Sequence, residues 1–402
     1  MNKFDGEVFD YNKDNIQQVF KSDDEINEKY KRGEIRIITE QARYPIKSIP
    51  SMIESNDYKL NPEYQRRKRW DNERKSRLIE SFIMNVPLPP IFLYETEYAK
   101  YEVMDGLQRL STIYDFYKGK YSLEGLEYWT ELNGKTYDKL PSEIREGINR
   151  RYLSSVILLQ ETAKSPEEAE ELKQIVFERL NSGGEKLTDQ ETRNALYNGK
   201  FNKLCIELAE NIDFRKMWKI PTKEDSLDIL DFDDESISLL TNPLYKKMED
   251  VELVLRFFAY RFLDKYTSNP MKDFLDAYLK QANKFNDTTT NELKNLFNET
   301  IDTVYKVFGK DAFLLPEGNN RKSNKITKTI YEPLMQSISK NLNNKEKLIS
   351  NSEILKKNKF LNLEKLTLDN GKKLFDGKYS HRSIIQKRIE YFDELIYKYC
   401  NN

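Results

Sequence analysis

The sequence predicts an α+β domain followed by a mainly α-helical one. Two short β-prone runs, residues 91–94 and 101–104, sit between segments whose apolar residues recur at helical spacing. From Met248 onward the spacing becomes helical and stays so. With 402 residues, 38% hydrophobic and 33% charged, the chain is long enough for two cores and too polar for a membrane span.

Taken in order, residues 1–43 are polar and mixed in charge, an arm expected to pack loosely. Residues 44–220 are expected to form the first domain. Asn61-Pro62 breaks what precedes it, and Tyr64-Gln65-Arg66-Arg67-Lys68-Arg69-Trp70 sets four cations between two aromatics. Asp71 suits the N-cap of a helix bearing Leu78, Ile79, Phe82 and Ile83. Pro87, Pro89 and Pro90 follow its end, ahead of the strand at 91–94. The second β-prone run stops at Asp105-Gly106 and resumes as a helix with Leu110, Ile113, Tyr114 and Tyr117 on one side.

Residues 126–220 read as α-rich, with Trp129 and Tyr137 helping to close the core. Ser165-Pro166-Glu167-Glu168 opens a helix with stripe Ala169, Leu172, Val176 and Leu180. A turn with two glycines follows at 181–184. Thr188-Asp189-Gln190-Glu191 is a second capping box, starting a helix expected to reach about Gly199. Residues 221–247 are acidic and expected to form a linker; residues 248–402 form the helical domain, with later helices at about 323–342 and 381–400.

The chemistry concentrates at 101–115, YEVMDGLQRLSTIYD. Glycine lets a backbone turn sharply and approach a ligand closely. A new helix offers unpaired N–H groups to an anion, and arginine grips phosphate or carboxylate in two places. Asp105 could instead cap the helix, and the basic run at 66–69 could be a solvated loop. In the second domain, Lys322, Lys325, Lys328 and Arg382 are candidates for holding DNA backbone, or else a solvated face.

The order of these boxes resembles a known family. Residues 44–118 look like the ParB and sulfiredoxin-type fold, and more closely like the N-terminal domain of GmrSD-type modification-dependent restriction endonucleases. The matching residues are Tyr64-Gln65-Arg66, Trp70-Asp71, Leu78-Ile79-Glu80-Ser81-Phe82 and Asp105-Gly106-Leu107-Gln108-Arg109. Leu107 departs from the family pattern, where a glutamine stands. Further on, the segment 177–187 (FERLNSGGEKL) and Glu191-Thr192-Arg193-Asn194-Ala195 are similar to the family's later signatures.

The resemblance implies a nucleotide-dependent defence protein that restricts modified or foreign DNA. It would bind, and hydrolyse, a nucleoside triphosphate with Mg²⁺. Tyr64, Gln65, Arg66, Gly106, Arg109, Arg179 and Asn181 would hold the nucleotide. Asp105, Gln108 and Arg109 would act in catalysis, with Asp105 as the metal ligand. Family members with a nuclease carry a C-terminal His-Asn-His-type domain. This chain has a single histidine, His381, so that domain is expected to be missing or replaced.

Two other classes stay open. One is a metal-dependent nuclease within the first domain, using Glu63, Asp71, Glu102 or Asp105. The other is a non-catalytic DNA-binding or adaptor module serving a separate nuclease subunit, or a homo-oligomer. Walker-type and Gly-x-Ser-x-Gly motifs are absent, and Cys205 and Cys400 suggest neither disulfide nor zinc. The start MNKFDGEVFDYNKD is unlike a signal peptide, which predicts a cytoplasmic protein.

Overall fold

The structure is a computed structural model describing residues 3–11, 22–32, 37–60, 70–162, 165–181, 187–222, 239–266, 270–315, 325–359, 373–375, 377 and 381–400. It divides into two compact units: Asn15–Leu187, and Met1–Asp14 together with Thr188–Asn402. Along the chain, the first is therefore an insertion within the second. The division falls between Leu187 and Thr188, whereas the sequence places a boundary near residue 220.

The inserted unit is the α+β domain. Its helices are α1 (Asp23–Arg32), α2 (Ile49–Glu54), α3 (Asn72–Met84), α4 (Leu107–Tyr117), α5 (Ser142–Asn149) and α6 (Pro166–Asn181). Its strands are β1 (Thr39–Pro45), β2 (Tyr58–Lys59), β3 (Ile91–Glu97), β4 (Lys100–Asp105) and β5 (Tyr152–Leu158). They form one mixed sheet in the order β1-β5-β3-β4-β2. The pairs β1–β5 and β3–β4 are antiparallel; β3–β5 and β2–β4 are parallel.

Residues 126–220 are α-rich as expected, but strand β5 interrupts them unannounced. Its sequence, YLSSVIL, alternates exposed and buried positions, and it pairs on both sides. Its two serines blur the apolar alternation that announces a strand.

Asp71 caps α3 by accepting from the Arg74 N–H at 2.7 Å, and Asn85, left-handed at φ 59°, ends it. Leu78, Ile79 and Phe82 from α3 meet Leu110, Ile113 and Phe116 from α4 in the core beside β3, β4 and β5. Phe116, not Tyr114, is the deep aromatic of α4. Trp129 does not close this core: it is 37% exposed. Its backbone is held instead, because the buried Glu80 carboxylate accepts from Tyr128 N–H at 2.8 Å and Trp129 N–H at 2.9 Å. Tyr137 does pack inward, stacked on Tyr117 at 4.2 Å.

The other unit is helical: α7 (Asp189–Leu196), α8 (Lys200–Leu208), α9 (Ile212–Trp218), α10 (Pro243–Lys246), α11 (Glu249–Ala259), α12 (Met271–Ala282), α13 (Asp287–Phe308), α14 (Lys328–Lys340), α15 (Lys345–Ser350), α16 (Ser352–Asn358) and α17 (Arg382–Cys400). A two-stranded ladder joins β6 (Leu314–Leu315) to β7 (Lys325–Ile326), so the helix expected from 323 starts at Lys328. Thr188 and Glu191 make the expected capping box, though α7 stops at Leu196. Most of the expected acidic linker, residues 223–238, lies outside the described residues.

Two buried constructions organise this unit. In the first, Arg193 of α7 reaches Asp276 of α12 at 2.6 Å and Glu252 of α11 at 2.8 Å. Glu252 also meets Arg256 at 2.9 Å, and Arg256 meets Glu332 of α14 at 3.0 Å. Desolvation raises the Glu252 carboxyl, but the two guanidiniums outweigh it and hold it down to about 2.

The second is the N-terminal segment, which does not pack loosely. Glu7 makes a two-pronged pair with Arg261, both contacts at 2.6 Å, with both side chains buried. Phe9 sits edge-on to Phe262, Phe274 and Tyr278. Its partners lie some 250 residues along the chain, too distant for local pattern to register them.

Breaking a buried pair strands a charge, at a cost of about 3–5 kcal/mol. Glu7→Ala is therefore expected to lower the unfolding free energy in urea by about that much, and a change under about 1 kcal/mol would show Arg261 re-solvated.

A pH effect follows from Lys359, which is buried and donates to the Ala312 carbonyl. Desolvation pushes its ammonium down from 10.5 to about 7. Between those values the unfolded chain binds the proton more tightly, so this group makes stability rise with pH from about 7 towards 10.5. Lys359→Met should flatten that rise in denaturation curves taken across the window; an unchanged slope would assign it to another group.

Candidate functional site

The site lies where β4 ends and α4 begins. Strand β4 carries the chain out to Asp105, and Gly106 turns it into the helix with φ +94°. A Cβ at Gly106 would lie 2.3 Å from Cγ2 of Ile91, so only glycine fits between the helix start and β3. Gly106 itself occupies the N-cap, and no side chain caps the helix. Neither Asp105 nor any other described residue fulfils the capping role considered from sequence. The first N–H groups of α4 therefore keep their partial positive charge for another acceptor.

Asp105 is engaged differently. Its Oδ2 accepts from Arg109 Nη2 at 2.8 Å, one helical turn on. The aspartate side chain remains 51% exposed, while that of arginine is only 11% exposed. Arg109 also donates to the Pro89 carbonyl just before β3. Burial lowers the guanidinium pKa, opposed by the Asp105 charge and hydrogen bond. Arg109 thus braces the exit of β4 against the start of β3, and presents a carboxylate that solvent can reach.

Gln108 links this turn to the basic box. Its side-chain oxygen accepts from the Trp70 N–H at 3.3 Å, and Arg74 lies over the Trp70 ring at 4.7 Å. Trp70 is the first described residue after the box. Tyr64, Gln65 and Arg66, with Glu63, fall in 61–69, outside the described residues. The departure at Leu107 has a physical reason: that side chain is buried, at 6% exposure, in the core beneath the turn.

Helix α6, bearing Arg179 in its last turn and ending at Asn181, belongs to the same unit. Lys173 fastens it to β4 by an ion pair with Glu102 at 2.6 Å, both side chains mostly buried. Arg179 is exposed, and the Asn181 side chain lies outside the described residues. Glu102 is taken up by Lys173 in that ion pair. Asp71 is occupied as a cap. No trio of His, Cys, Asp or Glu able to hold a metal occurs among the described residues.

Sequence reasoning missed Pro89 as acceptor, Lys173 as anchor and Glu80 as loop-holder. The proline cluster and the isolated acid in an apolar helix face were the available signals. Of the lysines expected at DNA, Lys325 and Lys328 open β7 and α14, Arg382 opens α17, and Lys322 lies outside the described residues. No described helix is long and apolar enough to cross a membrane.

Fold and site together define an α+β domain with an uncapped helix start, a reachable carboxylate and a buried arginine. Residues 46–198 match the family described as the GmrSD restriction endonuclease, N-terminal domain. No curated protein and no solved structure matches the chain.

Gly106→Ala combines left-handed backbone with the clash on Ile91. It is expected to cost at least about 2 kcal/mol by urea denaturation; a loss under about 0.5 kcal/mol would mean that the turn relaxes and does not set the site.

Proposed function

We propose that the N-terminal unit binds and hydrolyses a nucleoside triphosphate, coupled to restriction of foreign DNA. The observation that carries this reading is the Asp105–Arg109 pair at an uncapped helix start. The exposed half of the pair is exchangeable. A phosphate arriving at the α4 N-terminus can replace Asp105 on the guanidinium, because both present paired oxygens to its fork. The released carboxylate is then available to a cation travelling with the phosphates.

One carboxylate, with phosphate oxygens and water completing the shell, suits Mg²⁺. Phosphoryl transfer asks mainly for positioning and charge neutralisation. Gln108, held toward Trp70, and the box at 64–66 would border the nucleotide. Arg179 and Asn181 would approach from the end of α6. The match of residues 46–198 to a restriction-endonuclease family supports DNA as the eventual target. A separate nuclease subunit would supply strand cleavage.

Isothermal titration with ATP, GTP and CTP in Mg²⁺, followed by phosphate release with and without DNA, tests this. Asp105→Asn removes the metal-binding charge at a half-exposed position. It should leave the melting temperature within a few degrees, retain binding without Mg²⁺ and lower turnover by at least about 100-fold. Full turnover in Asp105→Asn, or no nucleotide binding by the native chain, would overturn the assignment.

A further inference from the structure

A second polar cleft, of about 440 Å³, opens within the helical unit. Its floor is the Glu252–Arg256 pair together with Leu253, and buried Trp218 forms part of the wall. That floor is rigid: Glu252 and Arg256 are fixed by Arg193 and Glu332, so neither can swing to fill the space above them.

The rim is charged and segregated by element. Asp189 is the first residue of α7 and Glu249 the first of α11; the two helix starts are stitched by Thr188 Oγ1 donating to the Lys247 carbonyl at 2.9 Å. Lys325 of β7 and Lys328, the first residue of α14, supply the opposite charge. All four are exposed, and their side chains form no ion pair or hydrogen bond among the described residues.

Two further features mark the cleft as incomplete. Acids at helix starts are favoured by the helix dipole, so Asp189 and Glu249 have a local reason to be there. Lys328 has the opposite preference, and the first turn of α14 contains no acid to offset it. Trp218, a residue 6% exposed, also lines the cleft, and its Nε1–H is a buried donor left unmatched among the described residues.

We propose that this cleft is a second ligand site, taking one nucleotide unit. Lys325 and Lys328 receive its phosphate. Leu253 and the Trp218 wall face its ring, and Asp189 and Glu249 accept from an amino-bearing base edge. The volume lies within the range of small-molecule sites, roughly 300–1,000 Å³. A ligand with one anionic end and one donor-rich end answers the segregated rim, as an inorganic anion or an apolar molecule does not. The unit can be a free mononucleotide or a nucleotide of a DNA strand, since both present the same groups.

The test is titration of the full chain with dGMP, dCMP and dTMP, and separately with a short single-stranded oligonucleotide of mixed sequence. Two double variants accompany it: Lys325→Glu with Lys328→Glu, and Asp189→Asn with Glu249→Gln. Their melting temperatures should match the native one, because the four side chains are exposed and form no ion pair among the described residues. If either double variant melts early, the single changes Lys328→Ala and Glu249→Gln replace it.

The lysine variant is expected to weaken every probe by at least about tenfold, from loss of charge-assisted hydrogen bonds. The acid variant should weaken dGMP and dCMP but spare dTMP, which lacks an exocyclic amino group. Binding of mononucleotides identifies a free nucleotide as the ligand; binding of the oligonucleotide alone, with the same lysine dependence, identifies a strand. Binding should persist in Arg109→Ala, which removes the guanidinium proposed to take the phosphate in the N-terminal unit, and this separates the two sites. No binding of either probe, or binding untouched by both variants, overturns the proposal.

Discussion

The turn at Gly106 is the constraint on which the N-terminal site depends. A left-handed residue pressed against Ile91 brings the start of α4 within reach of β3. That closeness lets one arginine, Arg109, hold both Asp105 and the Pro89 carbonyl. A side chain at the turn would push the helix away, and the brace, the uncapped N–H groups and the exposed carboxylate would be displaced together. Glycine here is selected by space as well as by torsion.

The helical unit is held by a different principle. Its alternating chain Asp276, Arg193, Glu252, Arg256, Glu332 links α12, α7, α11 and α14 through buried charges, each flanked by an opposite one. Such a chain contributes little net stability over an apolar equivalent, but each member strongly penalises loss of its neighbour. The helices are consequently fixed in one arrangement. The N-terminal segment adds a second fastening through Glu7 and Phe9, so the unit is closed by residues from both ends of the chain.

Much of both units was legible where the signals are local. Asp71 as a cap, the Thr188–Glu191 capping box, and the apolar residues of α3 and α4 each depend on neighbours within one or two turns. What stayed hidden depends on distant partners. Strand β5 is recognisable by what pairs with it on either side, not by its serine-interrupted sequence. Phe9 looks like an isolated aromatic in a polar arm until Phe262, Phe274 and Tyr278 surround it. At the site, the residue types at 105–109 were readable, but the pairing of Asp105 with Arg109 was not. Two opposite charges one turn apart can pair or can each await a ligand, and burial decides.

Burial also separates the arginines by what they can do. Arg193 and Arg261 are each 1% exposed in their side chains, and their carboxylates are mostly or wholly buried. Exchanging such a partner for an outside anion would require opening the core, so these arginines are structural. Arg109 shares their burial, at 11%, but its carboxylate is 51% exposed. An ion pair with one solvated member holds its partner less firmly than a fully buried pair does. A phosphate also favoured by the α4 N-terminus can compete for such a guanidinium without disturbing the core. The same residue type thus acts as a fixed strut in one unit and as a replaceable contact in the other, and exposure of the partner carboxylate makes the difference.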